Sequence, residues 1–180
     1  MSASVTWKDG ISPVLRQMAQ SLSDRKPILL AMGQELVSVT KLAFNDENYR
    51  PQPWPALRPS TLAAKGNKSA MLKRSAALWQ SIRIAELSNE SVTVGTDRPY
   101  AVFHQIGTAP YTIRPSVKRA LAWPGGPGPR KKVAHPGVPP RPFFPFTAGG
   151  QMVDSAKARI ERVGMAKLRA LLARCGARPK

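Results

Sequence analysis

A chain of 180 residues, 42% of them hydrophobic, can build one packed domain, while 18 Pro and 13 Gly reserve much of it for loops and extended segments. The single cysteine, Cys175, excludes an internal disulfide framework and any cysteine-based zinc site, as suits a reducing compartment; no run approaches the ~18 apolar residues of a membrane span, and the N-terminus lacks the basic-then-apolar order of a signal peptide. Twenty-eight Lys and Arg against ten Asp and Glu give +18, with no acidic residue between Asp97 and Asp154, which leaves two readings open: contact with nucleic acid or another polyanion, or a solvated surface that meets an acidic protein partner.

The spacing predicts a first helix over 12–23, with Ser12 as N-cap, Pro13 at the first helical position and Val14, Leu15, Met18 and Leu22 on one face. After a break at 23–27, where Asp24 can cap, a second helix is expected from about Pro27 to Phe44. Ile28, Leu29, Met32, Leu36, Val39 and Ala43 form its apolar stripe, and Gly33 would permit a close approach at a cost of about 1 kcal/mol relative to Ala. Residues 1–50 then read as a helical arm, lying on the domain formed by 51–180 or on a neighbouring subunit. The linker that follows alternates Pro51, Pro53 and Pro55, which forces extended backbone, and Trp54 between prolines reads as an anchor.

A helical turn or two is expected over 60–66 and a short helix over 72–79. The period then changes. Ile82, Ile84 and Leu87 roughly alternate with Arg83 and Glu86, Val92 and Val94 flank Thr93, and the polar run 88–91 between them predicts a hairpin. Segments 111–114 and 120–123 are candidate strands. The loop 124–134 passes through Pro-Gly-Gly-Pro-Gly-Pro to Arg130, Lys131 and Lys132, and Val133-Ala134 can return as a strand edge. A closing helix falls within 152–175, from about Asp154 to Arg174. Ile160, Val163, Ala166, Leu168, Leu171 and Leu172 form its apolar face, and Lys157, Arg159, Arg162, Lys167, Arg169 and Arg174 its basic face. The fold class expected is α+β: a small antiparallel sheet packed with helices, with an N-terminal helical arm, a long Pro/Gly-rich basic loop and a C-terminal helix.

No catalytic constellation assembles. The chain has only His104 and His135; His104 beside Gln105 invites acid–base chemistry, yet no nucleophile or carboxylate lies near it in sequence, and a hydrogen-bonded, half-buried corner is the preferred reading. The glycines at 125, 126 and 128 lie among prolines, not at a phosphate-binding turn. The histidines are distant from each other and carboxylates are sparse, so no metal and no cofactor is expected. Nor does a base-reading nucleic-acid motif appear. Lys118, Arg119, Arg130, Lys131 and Lys132 would suit phosphate or an acidic partner.

Five stretches in order carry a resemblance: Trp54 to Ala63, Met71 to Ile82, Val92 to Thr96, Tyr100 to Gly107, and His135 to Phe143. Together they resemble the phage virion morphogenesis family, the tail-completion and head–tail joining proteins of Mu-like and related tailed phages. The likeness spans about Trp54 to Phe146, with the terminal helices outside it. Two departures stand out: Ala76-Ala77 occupies the place of the family's usual glycine in the helical stretch, and the loop from Tyr111 to Ala134 is long and basic.

The resemblance implies a structural virion protein rather than an enzyme. It would be a tail-terminator or tail-completion subunit, closing into a ring, a hexamer, between the tail tube and the head–tail connector or stopper. It would stand at the neck of the virion, be assembled in the host cytoplasm, and touch phage DNA, if at all, nonspecifically. It further implies a corner or inter-subunit contact formed by Trp54, Tyr100, His104, Gln105, Arg141, Pro142 and Phe143, in which Arg141, held between prolines, bonds carbonyls or a carboxylate. The alternative is a nonspecific DNA-binding accessory protein of DNA packaging, and a cofactor-free hydrolase using His104 stands third.

Overall fold

The computed structural model describes residues 11–59, 61–62, 71–73, 75–123, 126 and 128–176. Its organising element is the second helix. Helix α1 spans Ile11–Ser23 and α2 spans Lys26–Leu42. Ser12 therefore lies inside the first turn of α1 rather than at its cap, with its carbonyl accepting a long hydrogen bond from Arg16. Proline is tolerated so near a helix start because the amide it lacks has no intrahelical acceptor there. Between the helices Asp24 accepts the Lys26 amide, and Pro27 occupies the first turn of α2 as its fixed φ favours. Helix α2 ends at Leu42, two residues short of the expected end at Phe44, and Ala43 and Phe44 beyond it are both buried.

One side of α2 lies on the hairpin of β1 (Arg83–Leu87) and β2 (Val92–Gly95); it also packs against the last helix, α5 (Asp154–Gly176), onto which α1 folds as well. The expected close approach at Gly33 is present: a Cβ there would stand 2.5 Å from Val92 Cγ2 and 3.2 Å from Ile84 Cδ1. The uneven spacing of Ile84 and Leu87 also finds its cause. Ile84 pairs with Val94 and Glu86 with Thr93, so Ala85 is an extra residue, and the bulge returns Leu87 to the half-buried face. Asn89 in the hairpin turn accepts the Arg25 amide and donates to the Ser23 carbonyl at 2.6 Å, clamping the α1–α2 link.

Two other expectations change. The helix placed over 72–79 is α3, Ala77–Ser81, because Leu72 and Ala76 have φ near +58° and +56°, left-handed values at which a helix cannot run. The turn placed over 60–66 falls mostly outside the described residues, although the Thr61 and Leu62 amides donate to the Arg58 carbonyl as one helical turn requires.

After the short helix α4 (Ala101–Ile106), β3 (Tyr111–Ile113) pairs antiparallel with β4 (Val133–His135), the strand edge expected at 133–134. Segment 120–123 is not a strand: Leu121 alone bridges to Arg130, since 114–120 bends away and breaks the ladder. The fold is therefore α+β with two small antiparallel hairpins. On α5, Ala156, Ile160 and Gly164 are buried, which fixes the inward face. Arg159 turns inward on that face to meet Glu35 at 2.7 Å and the Tyr49 hydroxyl at 3.1 Å, raising its pKa, while Ala166 is exposed. The packing around Phe44, Trp54, Leu78, Ile82, Ala101 and Phe143 forms the core beneath the corner described next.

Candidate functional site

Two stretches far apart in sequence, 100–108 and 135–144, close against each other backbone to backbone. The Thr108 amide donates to the Val138 carbonyl at 2.9 Å, the Val138 amide donates to Thr108 Oγ1 at 2.9 Å, and the Arg141 amide donates to the His104 carbonyl at 2.7 Å. Gln105 Oε1 accepts the amides of both Phe143 and Phe144, at 3.1 and 3.2 Å. Buried amides need partners, and one glutamine oxygen with two lone pairs serves two of them. Two glycines make the approach possible. Gly107 has φ +77°, and a Cβ there would lie 2.7 Å from the Val138 carbonyl; Gly137 has φ +84°, and a Cβ there would collide with the Thr108 carbonyl.

A third strand of chain is tied in from the linker. Trp54, 6% exposed, donates from Nε1 to the Pro142 carbonyl at 2.8 Å, meets Phe44 edge-on at 5.9 Å, and carries the Arg50 guanidinium 4.0 Å from its ring centroid. Arg141 is buried. Its Nε and Nη2 donate to the Pro55 carbonyl at 3.2 and 3.0 Å, and Nη2 also donates to the Ala56 carbonyl at 3.2 Å. Of the two acceptors open to it, the guanidinium therefore takes carbonyls. Phe143, 1% exposed, packs on Phe44 and Phe144. The structure thus gathers Trp54, Gln105, Arg141, Pro142 and Phe143 into one corner within a single chain.

His104 and Tyr100 stand at the rim, in edge contact at 6.0 Å, beside a groove of about 630 Å³ that Arg141, His135 and Pro139 also line. His104 Nδ1 is buried without a hydrogen-bond partner. Burial, and secondly the positive charge of Arg141, hold the His104 pKa below its ordinary 6.5, so the ring is neutral at pH 7. Among the described residues no carboxylate lines the groove, and no group of three or more His, Cys, Asp and Glu is placed to hold a metal. The arrangement offers an open, largely apolar groove with one neutral imidazole at its rim.

The five predicted cations lie apart from the corner, on the β3–β4 hairpin. The Leu121 and Arg130 amides and carbonyls exchange hydrogen bonds of 2.8 and 2.9 Å, which ties the chain just after Lys118 and Arg119 to the start of the Arg130-Lys131-Lys132 run at the hairpin neck. All five are exposed, and none has an ion pair among the described residues.

Sequence reasoning missed the outer face of α4. Val102, Phe103 and Ile106 are 48%, 51% and 71% exposed, while Ala101 on the opposite side is buried and Gln105 holds the corner. The signal was present: at helical spacing Val102, Phe103 and Ile106 share one face, opposite Ala101, His104 and Gln105, and a six-residue helix can bury only one side in its own domain.

A sequence model of the phage virion morphogenesis family matches residues 8–162, reaching beyond the stretch from Trp54 to Phe146 to take in α1, α2 and the first part of α5. No curated protein and no solved structure matches the chain.

Proposed function

Because the chain belongs to the phage virion morphogenesis family, with a structural role in phage particle assembly, we propose that it is a tail-terminator or tail-completion subunit, closing into a ring, a hexamer, at the head–tail junction. Its partners are further copies of itself, the tail tube protein and the head–tail connector or stopper. No catalytic activity is needed for this role, and the corner suits rigidity better than turnover.

The observation that carries this reading is the apolar outer face of α4. Three large apolar side chains on a short helix anchored from behind by Gln105 form the kind of surface that a neighbouring subunit covers. A cyclic ring uses heterologous contacts, in which one patch meets a different patch on the next copy, so such a face need not be self-complementary. Among the described residues, no helix is long and apolar enough to cross a membrane.

The test is the mass of the purified protein in solution, with and without tail tubes, at two salt concentrations. A discrete ring, alone or only on tubes, is expected, and Ile106→Glu should dissolve it while leaving the monomer folded, because Ile106 is 71% exposed. A monomer indifferent to tubes, or a ring untouched by Ile106→Glu, would sink the α4 contact.

A further inference from the structure

Eight of the 28 Lys and Arg lie between Asp97 and Asp154, a stretch with no acidic residue of its own. In the sequence, Lys118-Arg119 and Arg130-Lys131-Lys132 are separate clusters. In the structure, the Leu121–Arg130 bridge brings the two runs to one end of the hairpin: Leu121, two residues after Arg119, pairs with Arg130, and an antiparallel hydrogen-bonded pair holds those two residues about 5.5 Å apart. We propose that this hairpin neck is a phosphate-backbone contact for duplex DNA.

Three features favour DNA over an acidic protein. The neck has cations of one sign only and no carboxylate from Arg98 to Val153, whereas protein interfaces satisfy both signs around a rim. Three of the five cations are lysines, which protein interfaces disfavour and phosphate contacts accept as point charges. Among the described residues none of the five side chains is held in an ion pair; this suits a sequence-blind grip on a polymer with one charge per about 1.7 Å of axis. The choice of DNA as the polyanion rests on the virion reading above, while the contact itself stands on charge and geometry.

The test uses the full chain and a 30-base-pair duplex of arbitrary sequence, followed by fluorescence anisotropy between 50 and 200 mM KCl. Five phosphate contacts predict a slope of log K against log[salt] of about −4.5, a loss of about 500-fold over that range. The triple variant Arg130→Gln, Lys131→Gln, Lys132→Gln should flatten the slope by about 2.7, and Lys118→Gln with Arg119→Gln by about 1.8, with thermal midpoints unchanged because all five side chains are exposed. Arg162→Gln, Arg169→Gln and Arg174→Gln on the exposed side of α5 remove the same charge elsewhere and should leave the slope as it was.

Equal flattening by the α5 variant would overturn the proposal in favour of total charge. A hairpin triple that keeps the DNA slope but no longer captures tail tubes would overturn it in favour of an acidic protein. Ring mass in the same samples reports separately: a monomer that keeps the slope sinks the ring and leaves the DNA contact standing.

Discussion

Ala76 takes φ +56°, ψ 2° at the head of α3, a conformation that favours glycine. The left-handed region costs an L-residue about 1–2 kcal/mol, against about 0.4–1 kcal/mol of extra chain entropy that glycine loses on folding. Ala76→Gly is therefore expected to stabilise the domain by about 0.5–1 kcal/mol, read as a thermal midpoint raised by about 1–4 °C. His104 gives a pH dependence whose sign follows from its depressed pKa. Above about 6.5 the ring is neutral folded or unfolded; as pH falls from there towards the lowered folded value, the unfolded chain takes the proton first, so stability is lost. The thermal midpoint should drop between pH 7.5 and 5.5, and His104→Gln should flatten that interval. A wild-type midpoint level across the range would contradict the burial of the ring. Asp97 titrates in a lower window, held below its ordinary 3.8 first by its hydrogen bond from Arg83, and does not confuse the readout.

At the scale of elements, the contact between α2 and the β1–β2 hairpin turns on Gly33. Alanine is better by about 1 kcal/mol as a helix former, but its methyl would press on the stiff, branched Val92, and overpacking costs about 1–3 kcal/mol. Gly33→Ala is expected to destabilise by about 1 kcal/mol net. In the Val92→Ala background the clash with Val92 is removed, leaving the milder 3.2 Å approach to Ile84 Cδ1, and the propensity gain remains, so a double-mutant cycle by denaturant unfolding should show favourable coupling. Additive losses would mean that the hairpin moves aside freely. Elements were largely legible: the 3.6-residue stripe of α2 and the alternation of β1–β2 are local signals. The short helix before β1 was misplaced because two left-handed residues, Leu72 and Ala76, carry no glycine to announce them. Segment 120–123 read as strand from its apolar residues, yet a ladder needs a partner, and the bend at 114–120 allows it one bridge.

For the whole molecule, the charge imbalance and the ordered motifs lie in the sequence itself, and the motifs were enough to indicate a family that the match over 8–162 then supplied. The class of fold follows from local periodicity in the same way, because a helix or hairpin is encoded by neighbours a few residues apart. Only the tertiary structure decided that Arg141 bonds the Pro55 and Ala56 carbonyls, that Arg159 on α5 turns inward to Glu35 and Tyr49, that α4 leaves Val102, Phe103 and Ile106 uncovered, and that Leu121 pairs with Arg130 between two basic runs. These contacts join residues tens of positions apart. Their geometry depends on how the intervening chain closes and on which groups find partners once buried, and no local pattern records either.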